Sequence, residues 1–198
     1  MIKVFIAVPH HKQIECDGEV CRNEMLLHCL KGKIPVVLKF KGDASVSANR
    51  NFLMRCALEA EASHLLFIDD DMVFPADALS RLLAWDKDIV CAAYSKRWDG
   101  GELVGKIEDD AKPEHSNGLI SMEYVGSGFI LINTNVYRKI NAACYYENFD
   151  PVTGDFTSED VNFCQIARAH DYKIWADIAL SKEMGHIGKK AYYLNSFP

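Results

Sequence analysis

Three consecutive carboxylates, Asp69-Asp70-Asp71, follow the apolar run Leu65-Leu66-Phe67-Ile68 and precede Met72-Val73-Phe74-Pro75. Adjacent aspartates repel one another and lose hydration when a cleft encloses them. The pattern asks for a positive partner, and a divalent cation is the simplest. An acidic turn that caps the next helix is the alternative, although a cap needs only one Asp. Arg50, at the start of the helical pattern Phe52, Leu53, Cys56, Ala57, Ala60, opposes the helix dipole. It is better placed to reach a ligand such as a phosphate or ribose, or to form a surface ion pair. Lys96 and Arg97 follow an apolar segment and suit pairing with a phosphate, or plain solvation. Glu159-Asp160 opens a second helical pattern, Phe163, Ile166, Ala167, His170, in which Thr157 and Asp160 fit a capping box. A carboxylate there is held rigidly where the dipole favours its charged form. Gly126-Ser127-Gly128 permits positive φ or close approach of a substrate to backbone, and equally a bulge or turn. His186 is flanked by glycines that would let an imidazole approach a site. By itself it reads as a surface loop residue, as do His10 and His11.

The elements that must position these groups follow from periodicity. Lys3 to Val8 reads as a first strand ending at Pro9, a common place to hold a nucleotide. Val20, Met25, Leu26, Leu27, Cys29 and Leu30 mark a helix from Glu19 to Leu30 ending near Gly32. Pro35 to Phe40 is a second strand. The run before Asp69 reads as a strand buried on both faces, as in a parallel sheet. Its carboxylates then sit at the carboxyl end, where open α/β sheets place ligands. Pro75 suits the first turn of a helix that buries Leu79, Leu82, Leu83 and Trp85. Asp88 to Ala93 is another strand, and Asp99 to Gly118 the least organised part. Leu119 to Val125 and Phe129 to Ile132 read as an antiparallel pair, Asn135 to Ile140 as a short helix, and Tyr172 to Ile178 as the last strand. Strands alternating with helices in the first half imply a parallel α/β sheet, with a mixed second half.

At 198 residues, with 49% hydrophobic and 25% charged residues, the chain has the composition of one soluble domain, 1–198. A formal net charge of −6 argues against a non-specific nucleic-acid binder. The seven cysteines show no CxxC or zinc spacing and read as mostly reduced core residues. No apolar run approaches the roughly 18–20 residues of a membrane span, and the N-terminus lacks signal-peptide character, so a cytoplasmic location is expected.

Taken together, these residues resemble a small nucleotide-sugar glycosyltransferase of the A-type fold, family-2-like, of the compact bacterial and phage kind. The resemblance rests on Ala7-Val8-Pro9 at a strand end, Arg50-Asn51 opening a helix, Asp69-Asp70-Asp71 before Phe74-Pro75, and Tyr94-Ser95-Lys96-Arg97. Gly126-Ser127-Gly128-Phe129, Ser158-Glu159-Asp160-Val161-Asn162 and His186 complete it. It implies a single Rossmann-like domain with a mixed central sheet flanked by helices. About 1–95 would bind nucleotide and metal, and about 96–198 sugar and acceptor. It implies a donor such as a UDP-sugar, a hydroxyl acceptor (glycan, small molecule or modified DNA base), and Mn²⁺ or Mg²⁺ as cofactor. Asp71 and His186 would hold the metal. Asp69 would assist the metal or hold the ribose, and Asp70 would support it. Pro9, Arg50, Lys96, Arg97, Gly126, Ser127 and Gly128 would bind the donor. Asp160 would be the general base of an inverting transfer, with Glu159 on a sugar or exchanging roles with it.

Asp69-Asp70-Asp71-Met72-Val73 also satisfies DxDx[TV], the haloacid-dehalogenase phosphatase signature, with Asp69 as nucleophile and Asp71 as acid/base. That family wants the motif on the first strand. A catalytically silent carbohydrate or nucleotide-sugar binder on the same fold is the other alternative.

Overall fold

The computed structural model describes residues 2–10, 15–42, 44–98, 101–112, 118–188 and 190–194. His11, Asp43, Asp99, Gly100 and Lys189 lie outside the described residues.

The first three strands, β1 (Val4–Pro9), β2 (Val36–Lys41) and β3 (His64–Ile68), are parallel in the order β2-β1-β3. Helices α1 (Cys16–Lys31) and α2 (Val46–Glu59) make the crossovers. Leu65, Leu66, Phe67 and Ile68 are all 0% exposed, so β3 is covered on both faces. Each such side chain contributes about 1.5–3 kcal/mol on burial, which fixes the strand and therefore the place of the aspartates after it.

The remaining elements are β4 (Met72–Val73), α3 (Ala78–Ala84), β5 (Ile89–Cys91), β6 (Gly105–Ile107), β7 (Leu119–Val125), β8 (Phe129–Asn133) and α4 (Thr134–Ile140). After them come β9 (Asn148–Phe149), β10 (Phe156–Thr157), α5 (Glu159–Ala169), β11 (Ile174–Asp177), α6 (Ile178–Ser181), β12 (Gly185–Ile187) and β13 (Ala191–Tyr192). Among the described residues the main sheet runs β2-β1-β3-β8-β5-β11-β7-β6. Strand β8 is antiparallel to β3 and β5, while β11 is parallel to β5.

The expected antiparallel pairing of 119–125 with 129–132 does not form. Phe129 to Ile132 are at most 1% exposed, an apolar run that needs neighbours on all sides, and β8 enters the middle of the sheet. Strand β7 keeps partly exposed positions and pairs with β11 and β6 towards the edge. Helices cover both faces. Leu53, Val136 and Phe163 bring α2, α4 and α5 against one. Met25, Leu79 and Leu180 bring α1, α3 and α6 against the other.

Two further expectations shift in detail. Helix α3 begins at Ala78, with Pro75 in the turn before it, where its carbonyl accepts from the Ala78 N–H at 3.1 Å. Helix α1 buries Gly18, Arg22, Met25 and Cys29, whereas Val20, Leu27 and Leu30 are more than half exposed. The closeness of Gly18 to the acidic turn explains that rotation. A Cβ at Gly18 would lie 2.6 Å from the Asp70 carbonyl, so only this face of the helix can pack there.

All seven cysteines are free, and Cys29, Cys91, Cys144 and Cys164 are buried. Among the described residues no helix is long and apolar enough to cross a membrane.

Candidate active site

The carboxyl ends of β1 and β3, the start of α2, the β7–β8 loop and the start of α5 converge on Arg50. Its helix starts at Ser45, whose side chain accepts from the Ala48 N–H at 3.2 Å. Arg50 therefore lies just past the first turn, pointing under the sheet's edge rather than outward. It is 1% exposed. Its Nη2 donates to Asp69 Oδ1 at 3.0 Å and Oδ2 at 3.3 Å, and its Nη1 to the Ser127 carbonyl at 3.4 Å. Its Nε lies 3.6 Å from Glu159 Oε1 and 3.5 Å from Asp160 Oδ1. The guanidinium sits over the Phe67 ring, 5.3 Å from its centroid. Its Nη groups are thus bonded within the protein, while Nε lies buried beside Glu159 and Asp160 without a hydrogen-bond partner, and its position gathers three carboxylates.

The electrostatics follow from that crowding. Burial weakens the Arg50 charge, but Asp69, Asp160 and Glu159 outweigh it and hold its pKa above the usual value. Burial pushes the Asp69 carboxyl up, against the pull of Arg50. Burial and the neighbouring Asp160 push Glu159 up as well, again against Arg50. One guanidinium faces three acids, so the centre keeps an appetite for protons or cations. This also explains the missing capping box. Ser158, not Thr157, is the N-cap of α5, with no side-chain cap bond, and Asp160 turns to Arg50.

Asp71 faces a different partner. The three-stranded sheet β13-β12-β4 sets His186 opposite Met72, and the Ile187 N–H donates to the Asp71 carbonyl at 2.8 Å. His186 Nδ1 lies 2.8 Å from the Ser95 carbonyl, which can only accept, so Nδ1 carries the proton and Nε2 is the free base. That Nε2 is 3.5 Å from Asp71 Oδ2. Arg97 bridges the two, donating from Nε to His186 Nε2 at 2.9 Å and pairing through Nη2 with Asp71 Oδ2. Burial lowers the His186 pKa, as does Arg97, while the Ser95 bond works the other way.

The fit to a divalent cation can be judged from this corner. Asp71 Oδ1 is buried without a hydrogen-bond partner. An imidazole whose other nitrogen is fixed by a backbone carbonyl is the usual arrangement of a metal-ligating His. A carboxylate with an imidazole suits Mn²⁺ better than Mg²⁺. Among the described residues no three His, Cys, Asp or Glu side chains cluster as a complete site. The corner therefore fits a cation that takes its other ligands from a bound substrate. Of the two expected metal carboxylates, Asp71 faces this corner and Asp69 faces Arg50.

The other predicted residues divide between two small cavities. One, of about 110 Å³, is lined by Pro9, His10, Val46, Asp69, Asp70, Asp71 and Arg97. The other, of about 210 Å³, is lined by Lys96, Gly126, Ser158 and Asp160 among others. Arg50 touches the wall of both, through Asp69 and Asp160. Lys96 and Arg97 are adjacent in sequence yet serve different cavities, and Lys96 pairs with Glu102 at 2.6 Å. The glycine loop lies behind the centre. The Gly128 carbonyl accepts from the Asp69 N–H at 2.9 Å, and the Gly128 N–H donates to Tyr94 Oη at 3.1 Å. A larger groove of about 670 Å³ between α2 and α4 has no carboxylate in its lining.

Sequence reasoning missed Arg22, and named Tyr94 and Ser95 only within the Tyr94-Ser95-Lys96-Arg97 match, with no role for either. Arg22 Nη1 donates to the Asp70 carbonyl at 3.4 Å from a position 1% exposed, which steadies the acidic turn. An arginine within the Gly18, Met25, Cys29 stripe was the available signal. Tyr94 packs edge-on against the His186 ring at 5.1 Å, and nothing in its sequence context marks that contact.

No family profile and no curated protein matches the sequence. The fold does match solved structures. A197 from STIV superposes with a TM-score of 0.61 at 17% identity, over 99% of this chain and 96% of that one. A Drosophila β1,4-galactosyltransferase 7 variant, solved with manganese, UDP-Gal and xylobiose, gives 0.55 at 14% identity over 100% and 77%. TarS from S. aureus gives 0.50 at 13% over 98% and 60%. The chain shares with these structures the A-type glycosyltransferase fold, a large mixed sheet flanked by helices.

Proposed function

We propose that the chain is a glycosyltransferase that moves a sugar from a nucleoside-diphosphate sugar, with UDP as carrier, to an acceptor hydroxyl with inversion. The observation that carries this reading is the division of the acidic edge by one buried arginine. Asp71 faces His186 on one side of Arg50, and Asp160 lines its own cavity on the other. A sugar transfer needs that division: one centre for the departing diphosphate, another for the attacking hydroxyl. The shared fold with a galactosyltransferase that holds manganese and UDP-Gal supports it.

Asp71 and His186 would hold the divalent cation, whose chemistry is Lewis-acid stabilisation of the diphosphate as it leaves. Pro9, Asp69 and Asp70 line the cavity beside them and would enclose the nucleotide end of the donor. Arg97, half-exposed, reaches the same cavity and would pair with phosphate oxygens. Asp160 takes the hydroxyl proton as the acceptor attacks. Arg50 holds that carboxylate in place, and Glu159 shares the guanidinium with it. Gly126 lines the Asp160 cavity and would border the sugar, with Ser127 and Gly128 backing the site from behind.

The test is a thermal-shift titration of UDP and UDP-sugars with and without Mn²⁺. A ligand at 100 times its Kd adds about 2.7 kcal/mol, or about 5–11 °C for a domain of this size. A shift that needs Mn²⁺ supports the reading. No metal-dependent shift, together with hydrolysis of an aryl phosphate, supports the phosphatase alternative instead.

A further inference from the structure

Between the buried Tyr145 and the start of α5 the chain rises into the β9–β10 hairpin, and its apolar residues point into solvent. Tyr146 is 47% exposed, Phe149 61%, Phe156 62% and Val152 91%. Phe149 and Phe156 are directly opposed across the two strands, so their rings share one face. The tip is an ordered turn. Asp150 Oδ1 accepts from the Val152 N–H at 2.8 Å, and the Gly154 N–H donates to the Asp150 carbonyl at 2.8 Å. Asn162 of α5 ties the hairpin's base down by donating to the Tyr146 carbonyl at 2.6 Å. The paired aromatics are therefore held in place without being used for the fold. Contiguous exposed apolar groups of this kind mark an interaction surface.

Its position says what kind. Phe156 precedes Ser158, Glu159 and Asp160 by two to four residues, so the aromatic face lies within about 15 Å of the acids that line the Asp160 cavity. Its charge narrows the partner further. From residue 140 to residue 167 there is no Lys, Arg or His, while Glu147, Asp150, Asp155, Glu159 and Asp160 are all acidic. Lys96, the one cation among the residues lining the Asp160 cavity, is paired with Glu102. Repulsion from such a surface reaches about 10 Å at 0.1 M salt. A phosphodiester or sulfated chain would meet it along the hairpin and at the Asp160 cavity.

We infer that this hairpin is the acceptor platform and that the acceptor is an uncharged glycan. The apolar C–H face of a sugar ring stacks on Phe149 and Phe156, and its hydroxyl points toward Asp160. Nucleic acid and anionic polysaccharide are excluded by the carboxylates. This inference rests on the glycosyltransferase reading and adds the acceptor class to it.

The experiment uses the full chain with UDP and Mn²⁺ present. Saturation-transfer NMR is recorded for xylobiose, cellobiose, maltotriose and chitobiose, for a twelve-residue thymidine oligonucleotide, and for a heparin hexasaccharide. The Phe149→Ala/Phe156→Ala and Phe149→Tyr/Phe156→Tyr variants are run beside the parent. Transfer to a neutral sugar is expected, lost in the alanine variant and kept in the tyrosine one. Signal from the oligonucleotide or heparin overturns the inference, as does neutral-sugar signal that survives the alanine variant. Silence from every sugar while UDP still raises the melting point overturns it too. So does a light-scattering dimer, or sedimentation with phosphatidylcholine vesicles, that the alanine variant abolishes. Failure of the UDP titration removes the donor reading separately, and the sugar signals still decide the hairpin's role.

Discussion

Replacing Arg50 with Met keeps most of the side chain's length and removes the charge that three carboxylates share. Asp69, Asp160 and Glu159 lie 3.0, 3.5 and 3.6 Å from it, and its side chain is 2% exposed. Removing one partner of such a buried group leaves uncompensated charge and costs about 3–5 kcal/mol, a fall in Tm of about 6–20 °C for a domain of this size. The loss must depend on pH, and its sign is fixed. Asp69 and Glu159 already stand above their ordinary values of 3.8 and 4.5, and without Arg50 they rise further. A carboxyl raised in the folded state gives stability below its unfolded pKa and loses it as pH climbs through the folded one. The variant's deficit is therefore largest at pH 7.5 and shrinks at pH 5. Melts followed by circular dichroism at both pH values measure this. A fall of less than about 2 °C at pH 7.5, or a deficit that does not shrink with acid, refutes the account.

Asp71→Ala removes the carboxylate 3.5 Å from His186 Nε2, and metal-dependent UDP binding should vanish by calorimetry; undiminished binding would remove Asp71 from the cation's shell. Asp160→Asn should bind donor as the parent does and lose transfer by about 10²–10⁴-fold, measured as UDP release with acceptor; retained turnover would move the base to Glu159. Gly128→Ala places a Cβ 2.6 Å from Tyr94 Oη and 2.7 Å from its ring, so overpacking of about 1–3 kcal/mol is expected. A melting point within a degree of the parent's would show that Tyr94 yields freely.

Much of the first half was legible because burial there is periodic. The apolar run of β3 gave away the strand and hence the location of Asp69 to Asp71, and the Leu53, Cys56, Ala57 stripe marked α2, though not its start at Val46. What was not legible depends on long-range pairing. Strands β4 and β12 are two and three residues long, too short for any period, yet their pairing sets His186 beside Asp71. The placement of β8 between β3 and β5 is a choice among partners that local pattern does not encode. Arg50 was readable as misplaced for helix stability, but not as the hub of Asp69, Glu159 and Asp160, since those partners lie 19 to 110 positions away along the chain.

Arg97 gives the Asp71–His186 corner a resident cation. Its side chain is 53% exposed, so under the proposed function loading a metal there would be an exchange rather than an addition. The affinity measured for metal alone is the intrinsic one reduced by the fraction of time Arg97 vacates the corner. A diphosphate that draws the guanidinium away raises that fraction, and a metal that expels it leaves a free cation for the diphosphate. Each ligand then tightens the other by the same factor, as linkage requires. Metal and donor would fill the cleft together, and a chain holding only one of them would be scarce.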